Sequence, residues 1–348
     1  MEQYTITGGA GFIGSNLTDY YLSQGRGVTI LDNFSRPGSE RNLAWLRERH
    51  GNSFKVVRGD ITHAGRTLAD AVEGASVVFH LAGQVAVTTS VTDPRHDFEV
   101  NAFGTFNVLE AARRASSKPA VVYSSTNKVY GKLADLGIVE RKGRYAYSNI
   151  EGGIGEDRPL DPYSPYGCSK CTGDQYVLDY ARIYGMKTIV FRQSCIYGPR
   201  QFGMEDQGWL AWFAIRALQA EPVTIYGDGK QVRDALWVGD LIEAYDAAVR
   251  KLDVTSGKAF NIGGGPENTL SLLELVELLN RHFQQKLRCG FEDWRPGDQP
   301  VFVSNISKAR RDFGWIPKVG VEEGVARLIE WVRTNGSLFD KPAEVGAH

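Results

Sequence analysis

Tyr166 and Lys170 stand four residues apart in the run Tyr166-Gly167-Cys168-Ser169-Lys170, just after Pro165. On a helix that spacing sets both side chains on one face. A free tyrosine titrates at about 10. A neighbouring ammonium favours the phenolate and draws that value toward working pH. A tyrosine activated in this way can take the proton of a hydroxyl while hydride leaves the carbon that bears it. Ser124-Ser125-Thr126 ends an apolar run upstream. At the carboxyl edge of a sheet, Thr126 can hydrogen-bond the reacting oxygen as it gains carbonyl character. The same Tyr–Lys pair also fits an ordinary surface helix, so the reading depends on a hydride acceptor having a place beside it.

Residues 7–14, Thr-Gly-Gly-Ala-Gly-Phe-Ile-Gly, offer such a place. Gly8 allows a sharp strand-to-helix turn, Gly11 lets backbone approach a pyrophosphate, and Gly14 lets the helix pack on the strand. The helix N-terminus presents free N–H groups and a partial positive charge to phosphates. Asp32 ends the next apolar run, 18 residues after Gly14, where a carboxylate meets the adenosine ribose. This combination, rather than a bare glycine-rich turn, predicts dinucleotide binding. Asp32 repels a 2′-phosphate and so favours NAD over NADP. Arg36 pulls the other way: it can accept that phosphate, stack on the adenine, or stay a solvated loop charge. Asp60 can reach the adenine or cap the helix that follows. Leu81-Ala82-Gly83 ends another strand, where small residues let backbone lie against the cofactor. His80 reads as a packed core histidine. With a nicotinamide nearby, Lys170 gains a second task, holding its ribose, and the positive ring adds to the pull on the phenolate.

These groups need a scaffold. Apolar runs at 4–6, 28–31, 54–58, 77–80, 120–123 and 188–191 alternate with helical stretches at 11–24, 39–50, 64–73, 97–116 and 165–184. That alternation predicts an α/β fold, a doubly wound parallel sheet of the Rossmann type with helices on both faces. Strand runs apolar on both faces fit a covered sheet. After residue 192 the rhythm loosens into a smaller α+β lobe. The expected division is a cofactor domain at 1–192 with a return segment near 230–262, a substrate domain at 193–336, and a tail at 337–348. Residues 132–162 read as a long polar loop.

Composition narrows the classes. Lys plus Arg number 40 against 41 Asp plus Glu in 348 residues, which gives no general pull on nucleic acid or anionic membrane. No apolar run reaches the roughly 18 residues that span a bilayer. The first residues lack a secretory pattern, and four Cys build no disulfide framework, so a cytoplasmic location is expected. Cys168 and Cys171 form a C-x-x-C with no second pair of zinc-ligand spacing, so no metal is expected.

Together with Asp60-Ile61, Asn101, Tyr197-Gly198-Pro199-Arg200, Arg233-Asp234 and Arg295-Pro296-Gly297-Asp298, these motifs make the chain resemble the extended short-chain dehydrogenase/reductases. Within them it is similar to the nucleotide-sugar epimerase and dehydratase group, from Thr5 to about Arg333. The resemblance implies an NAD-binding Rossmann domain, a smaller C-terminal substrate domain, and a homodimer formed through two helices per subunit, here 97–116 and 165–184. It implies cofactor contacts at Gly8, Gly11, Phe12, Ile13, Gly14, Asp32, Asn33, Ser35, Arg36, Asp60, Ile61, Leu81, Ala82, Gly83, Asn101 and Ser124, besides Tyr166 and Lys170. It implies substrate contacts at Gln84, Thr126, Asn127, Gln193, Ser194, Gln207, Trp209, Tyr226 and Gln231. Arg233 and Arg295 would clamp the diphosphate, a task that suits guanidinium, and Asp298 would face the nucleotide ribose. Trp209 would bracket the base with Gln207, or serve only as core packing.

Dehydratases of this group carry Asp-Glu directly after the threonine, and those carboxylates move the protons of elimination. Here the two positions hold Asn127 and Lys128, which disfavours dehydration. The runs 81–90, 124–131, 167–170, 174–176, 206–209 and 229–234 resemble the branch that epimerises CDP-hexoses of the paratose/tyvelose type at C2. The implied reaction is transient oxidation at C2, rotation of the 2-keto sugar and re-reduction, with NAD regenerated and retained. The alternatives are a UDP-sugar 4-epimerase and a catalytically inactive NAD-binding scaffold or regulator. Intact Tyr166, Lys170 and Thr126 argue against the scaffold. Ser194-Cys195, where many members have Asn-Val, and the segment 132–162 depart from the group and bear on the sugar pocket.

Overall fold

The computed structural model describes residues 2–295 and 297–339. Seven parallel strands form the central sheet, in the order Lys258–Ile262, Thr188–Gln193, Ala120–Thr126, Val77–His80, Gln3–Thr7, Gly27–Asp32, Lys55–Arg58. Successive side chains of a strand point to opposite faces, and apolar residues on both faces give two cores. Ile6, Ile30, Phe79, Val122 and Phe191 pack under the helices Phe12–Ser23 and Val238–Arg250. Val78, Val121, Tyr123 and Val190 pack under Gly104–Arg114 and Ser164–Tyr184. The strand order winds outward in both directions from Gln3–Thr7 and Val77–His80. A crevice therefore opens at the carboxyl ends of these two strands. The chain builds the doubly wound α/β sheet with a smaller mixed lobe that its pattern predicts.

In the smaller lobe Val232–Trp237 pairs in parallel with Cys195–Tyr197 and Val301–Phe302, and antiparallel with Thr269–Ser271. Val223–Tyr226 and Cys289–Glu292 form a separate parallel pair. Leu210, Phe213, Leu275, Leu279, Leu328 and Ile329 join the helices Trp209–Leu218, Leu272–Phe283 and Val321–Thr334 over this sheet. Of the segment 230–262, Val232–Trp237 stays with the small lobe. The helix Val238–Arg250 and the strand Lys258–Ile262 return to the large one. The tail is described as far as the turn Gly336–Phe339; residues 340–348 and Pro296 lie outside the described residues. Among the described residues no helix is long and apolar enough to cross a membrane.

Two segments differ from their sequence reading. The helix expected at 97–116 is divided into Pro94–Phe98, a π-helical turn Glu99–Phe103, and Gly104–Arg114. A Cβ added at Gly104, just after the turn, would lie 2.7 Å from the end of the Ile61 side chain. Such turns insert one residue into the helical ladder, and here Asn101 ends 1% exposed. The segment 132–162 is not a plain loop. It carries the antiparallel hairpin Ile138–Arg141 and Arg144–Tyr147. The turn residues Lys142 (φ 52°) and Gly143 (φ 76°) are both left-handed, as tight hairpin turns require. Tyr145 N donates to Lys230 O at 3.0 Å and Tyr145 Oη to Asp228 Oδ2 at 2.6 Å. Lys230 pairs with Glu140 at 2.9 Å, and Ile154 bridges to Ser304. A segment that starts where Thr126 ends is thus laced onto the small lobe.

Candidate active site

At Gly8 the chain turns with φ 69°, and an added Cβ would lie 2.8 Å from Ala82 N. A Cβ on Gly14 would lie 2.1 Å from Gly8 O. Both gaps are between backbone groups, so no side chain can yield. No side chain caps the helix Phe12–Ser23, which leaves its first N–H groups for an anion. Asp32 Oδ2 accepts from Ala10 N at 3.0 Å and Oδ1 from Phe34 N at 2.8 Å. Burial pushes its carboxyl pKa up against these bonds, and each oxygen keeps a lone pair for a ribose hydroxyl. Asn33 Oδ1 accepts from Ser35 N at 3.0 Å, and Asn33 Nδ2 donates to Asp60 Oδ2 at 2.8 Å. Asp60 also takes Thr62 N at 2.8 Å; it caps no helix, since Arg66–Val72 begins after Gly65. Arg36 is not a solvated charge: it bonds Gln207 Oε1. His80 is the packed histidine its sequence context suggests. It is 1% exposed, bonds Thr7 Oγ1 at 2.8 Å and Thr105 Oγ1 at 3.0 Å, and burial holds its pKa down at about 3.

The cradle fits a dinucleotide on its own terms. Glycines clear the space a pyrophosphate needs, an uncapped helix end faces it, and Asp32 stands at the ribose distance. Phe12, Ile13, Ile61, Leu81, Ala82 and Gly83 line the same cavity of about 690 Å³. That cavity runs on past Ser124, Thr126, Tyr166 and Lys170 to Arg233 and Asp298.

The strand Ala120–Thr126 and the helix Ser164–Tyr184 bring Thr126, Tyr166 and Lys170 to one wall. Lys170 Nζ donates to Ser124 O at 2.5 Å and stands 4.2 Å over the Tyr123 ring. The sequence predicts a tyrosine drawn toward phenolate by this lysine and a bound nicotinamide ring together. In the protein by itself, burial pushes Tyr166 up to about 12; the Thr126 hydroxyl and Arg36 oppose this, and Asp97 adds to it. Burial pulls Lys170 down to about 7 against Asp97 and Asp174. Both groups are desolvated, and a lysine that sheds its proton near neutrality is a weaker partner for a phenolate.

Of the contacts named from sequence, Asn101 is the one that does not line the cavity. Its Oδ1 accepts from Gln84 N at 3.0 Å, and its Nδ2 donates to Gln84 O at 3.0 Å and Asp97 Oδ1 at 3.1 Å. It positions Gln84, which does line the cavity.

On the substrate side Arg233 Nη2 donates to Asp298 Oδ1 at 2.6 Å. Arg295 lies 3.8 Å over the Tyr226 ring and pairs with Asp206 at 3.1 Å. Gln231 Nε2 donates to Tyr226 O at 2.6 Å. Gln193 donates to Tyr245 Oη, and Ser194 Oγ to Asp234 O at 3.1 Å. Trp209 packs on the small core, edge-on to Phe213 at 6.2 Å, and also lines the cavity. Asn127 Oδ1 accepts from Thr126 Oγ1 at 3.3 Å. Among the groups that sequence reasoning did not name as contacts are one on the cavity wall and one behind it, the Tyr245 that holds Gln193. Lys128 lines the cavity 3.7 Å from Asp298 Oδ1; its place after Asn127 was a signal, used only to note a missing carboxylate. Tyr245 comes from the distant helix Val238–Arg250 and had no local signal.

The sequence profile of the GDP-mannose 4,6 dehydratase family matches residues 5–328. The chain belongs to this family. Similar members include epimerases as well as dehydratases of nucleotide sugars. The CDP-paratose 2-epimerase of Salmonella typhi is 46% identical over 334 residues, covering 94% of this chain and 98% of that protein. The UDP-glucose 4-epimerase of Mycolicibacterium smegmatis is 34% identical over 94% of this chain and 97% of its own. Among solved structures, the UDP-glucuronic acid 4-epimerase of Bacillus cereus, in complex with UDP-glucuronic acid and NAD, superposes with a TM-score of 0.83 at 27% identity, over 95% of this chain and 99% of that one.

Proposed function

We propose that this family member is an NAD-dependent epimerase that inverts C2 of a CDP-hexose of the paratose/tyvelose kind. One observation carries the choice of epimerisation over dehydration: the wall that holds Thr126, Tyr166 and Lys170 continues into Asn127 and Lys128, so the two positions after Thr126 offer no carboxylate for elimination. The 46% identity to a CDP-paratose 2-epimerase along nearly the whole chain supports the same reading.

The cofactor would lie against Gly8, Gly11 and Gly14, with Asp32 on its adenosine ribose and Lys170 on its nicotinamide ribose. When bound, it supplies a reversible hydride acceptor beside Tyr166. The Tyr166 phenolate would be favoured against burial by the positive nicotinamide ring, and in that form Tyr166 Oη accepts the proton of the C2 hydroxyl and later returns it. Thr126 Oγ1 hydrogen-bonds the same oxygen as it becomes a carbonyl. Arg233 and Arg295 hold the diphosphate, which keeps the keto sugar tethered while it turns. Because the cycle regenerates NAD, the cofactor remains bound between turnovers. Phe98, Phe103, Phe106, Tyr176, Ile183 and Tyr184 are exposed on the helices 94–114 and 164–184. Such an apolar face suits a homodimer interface. Balanced charge and four free cysteines suit the cytoplasm.

Deuterium at C2 of the CDP-hexose tests the reading. The epimer should keep the label at C2, as followed by NMR, and Tyr166→Phe should slow turnover by roughly 10²–10⁴. Loss of the label to water would mean proton abstraction beside a carbonyl instead. Inversion at C4 of a UDP-hexose would favour the second reading, a UDP-sugar 4-epimerase, to which the Mycolicibacterium and Bacillus relatives lend weight.

A further inference from the structure

A sugar oxidised at C2 presents a geometric demand that one oxidised at C4 does not. C2 is bonded to C1, which carries the diphosphate. The β-phosphorus therefore lies three bonds from C2 but five from C4. With C2 held at Tyr166 and Thr126, the β-phosphate must come close to the catalytic threonine, and a cation is needed there.

Lys128 has that position. Its backbone N donates to Thr126 Oγ1 at 3.2 Å, which caps the short turn Asn127–Tyr130 and fixes the lysine beside the threonine. Its side chain is 19% exposed and lines the cavity. Among the described residues its ammonium meets one carboxylate, Asp298 Oδ1, at 3.7 Å. That same oxygen is already engaged by Arg233 at 2.6 Å. One carboxylate thus faces two cations, which leaves a surplus positive charge on the wall between Thr126 and Arg233. Burial lowers the pKa of Lys128, and Arg233 adds to this against Asp298, so an anion docked here relieves a desolvated, under-compensated charge.

We propose that Lys128 binds the β-phosphate of the nucleotide diphosphate sugar and so sets C2, rather than C4, at the catalytic tyrosine. This rests on the C2 reading above. Lys128 adds to the arginine contacts and determines which carbon they deliver.

The test compares binding of CDP and CMP, which differ by the β-phosphate alone, to the intact protein with its cofactor. In Lys128→Met and Lys128→Gln, CDP should lose about 10–100-fold in affinity, the worth of a charge-assisted bond. CMP affinity should not move, and Lys128→Arg should restore most of the loss for CDP. Both neutral variants keep the backbone N–H that caps the turn, and retained dinucleotide reports that they are folded. An unchanged CDP-to-CMP ratio in either neutral variant would overturn the proposal and leave Lys128 as a mere neutraliser of Asp298. Equal losses for CDP and CMP would overturn it as well. UDP and UMP, measured in parallel, separate this from the choice of base. If the wild type prefers uridine nucleotides, the CDP assignment fails, while the ratio of UDP to UMP still decides the role of Lys128.

Discussion

On the proposed cofactor side of the cavity, Gly8, Gly11 and Gly14 would make the approach surface, and the contacts they permit are backbone to backbone. On the substrate side, Lys128, Arg233, Arg295 and Asp298 come from three separate segments and act through side chains. The first kind of surface recognises what all dinucleotides share, and it tolerates almost no change. The second kind reads charge and shape, and it can be altered one side chain at a time while the fold stays whole. A family can therefore keep one cofactor and change its sugar, its base or the carbon that reacts.

The largest effect should come from breaking the backbone surface. Gly14→Ala places a Cβ 2.1 Å from Gly8 O, and the purified variant should carry almost none of the NAD that acid releases from the wild type. Normal NAD content would mean that the turn can open, and the contrast between the two sides would lose its basis. Arg233→Met should be milder and confined to its own side. CDP affinity should fall roughly 10–100-fold with the NAD content unchanged, as read by calorimetry and cofactor release. A joint loss of both ligands would show that the two surfaces are not separable.

The smallest effect concerns what lies beneath the cofactor side. An unfolded histidine titrates at about 6.5, whereas folded His80 stays neutral down to about 3. Between these values the unfolded chain binds one more proton than the folded one, so stability falls as pH falls. By pH 5 this amounts to about 2 kcal/mol. Denaturant titrations at pH 7 and pH 5 should show His80→Gln losing about that much less than the wild type. Identical losses would mean that His80 becomes protonated within the fold.

Much of the cofactor side was legible because it is contiguous. Residues 7–14 encode turn, approach and packing in one stretch, and Asp32 follows at a fixed strand-helix-strand distance. The Tyr166–Lys170 spacing was equally local. What escaped depends on partners far along the chain. The π-turn at Glu99–Phe103 sets Asn101 against Gln84 and Ser169, and the hairpin in 132–162 is held by Asp228 and Lys230. Its turn is Lys142-Gly143, in place of the Asn-Gly or Asp-Gly that marks such a turn in sequence. The burial of the Tyr166–Lys170 pair also escaped, because spacing shows that a lysine is near but not how little water surrounds both groups.

The lacing of residues 127–162 onto the small lobe bears on how the molecule can bend. A lobe joined at one crossing swings like a door on that crossing. Here the chain passes between the lobes after Gln193, before Val238 and again after Ile262, while the hairpin and the Ile154–Ser304 bridge add a strap from the strand of Thr126. Pivots at separate points on different lines do not share an axis. Attachment at several points resists a jaw-like swing, and in the proposed reaction it would keep the walls in place while the keto sugar turns over.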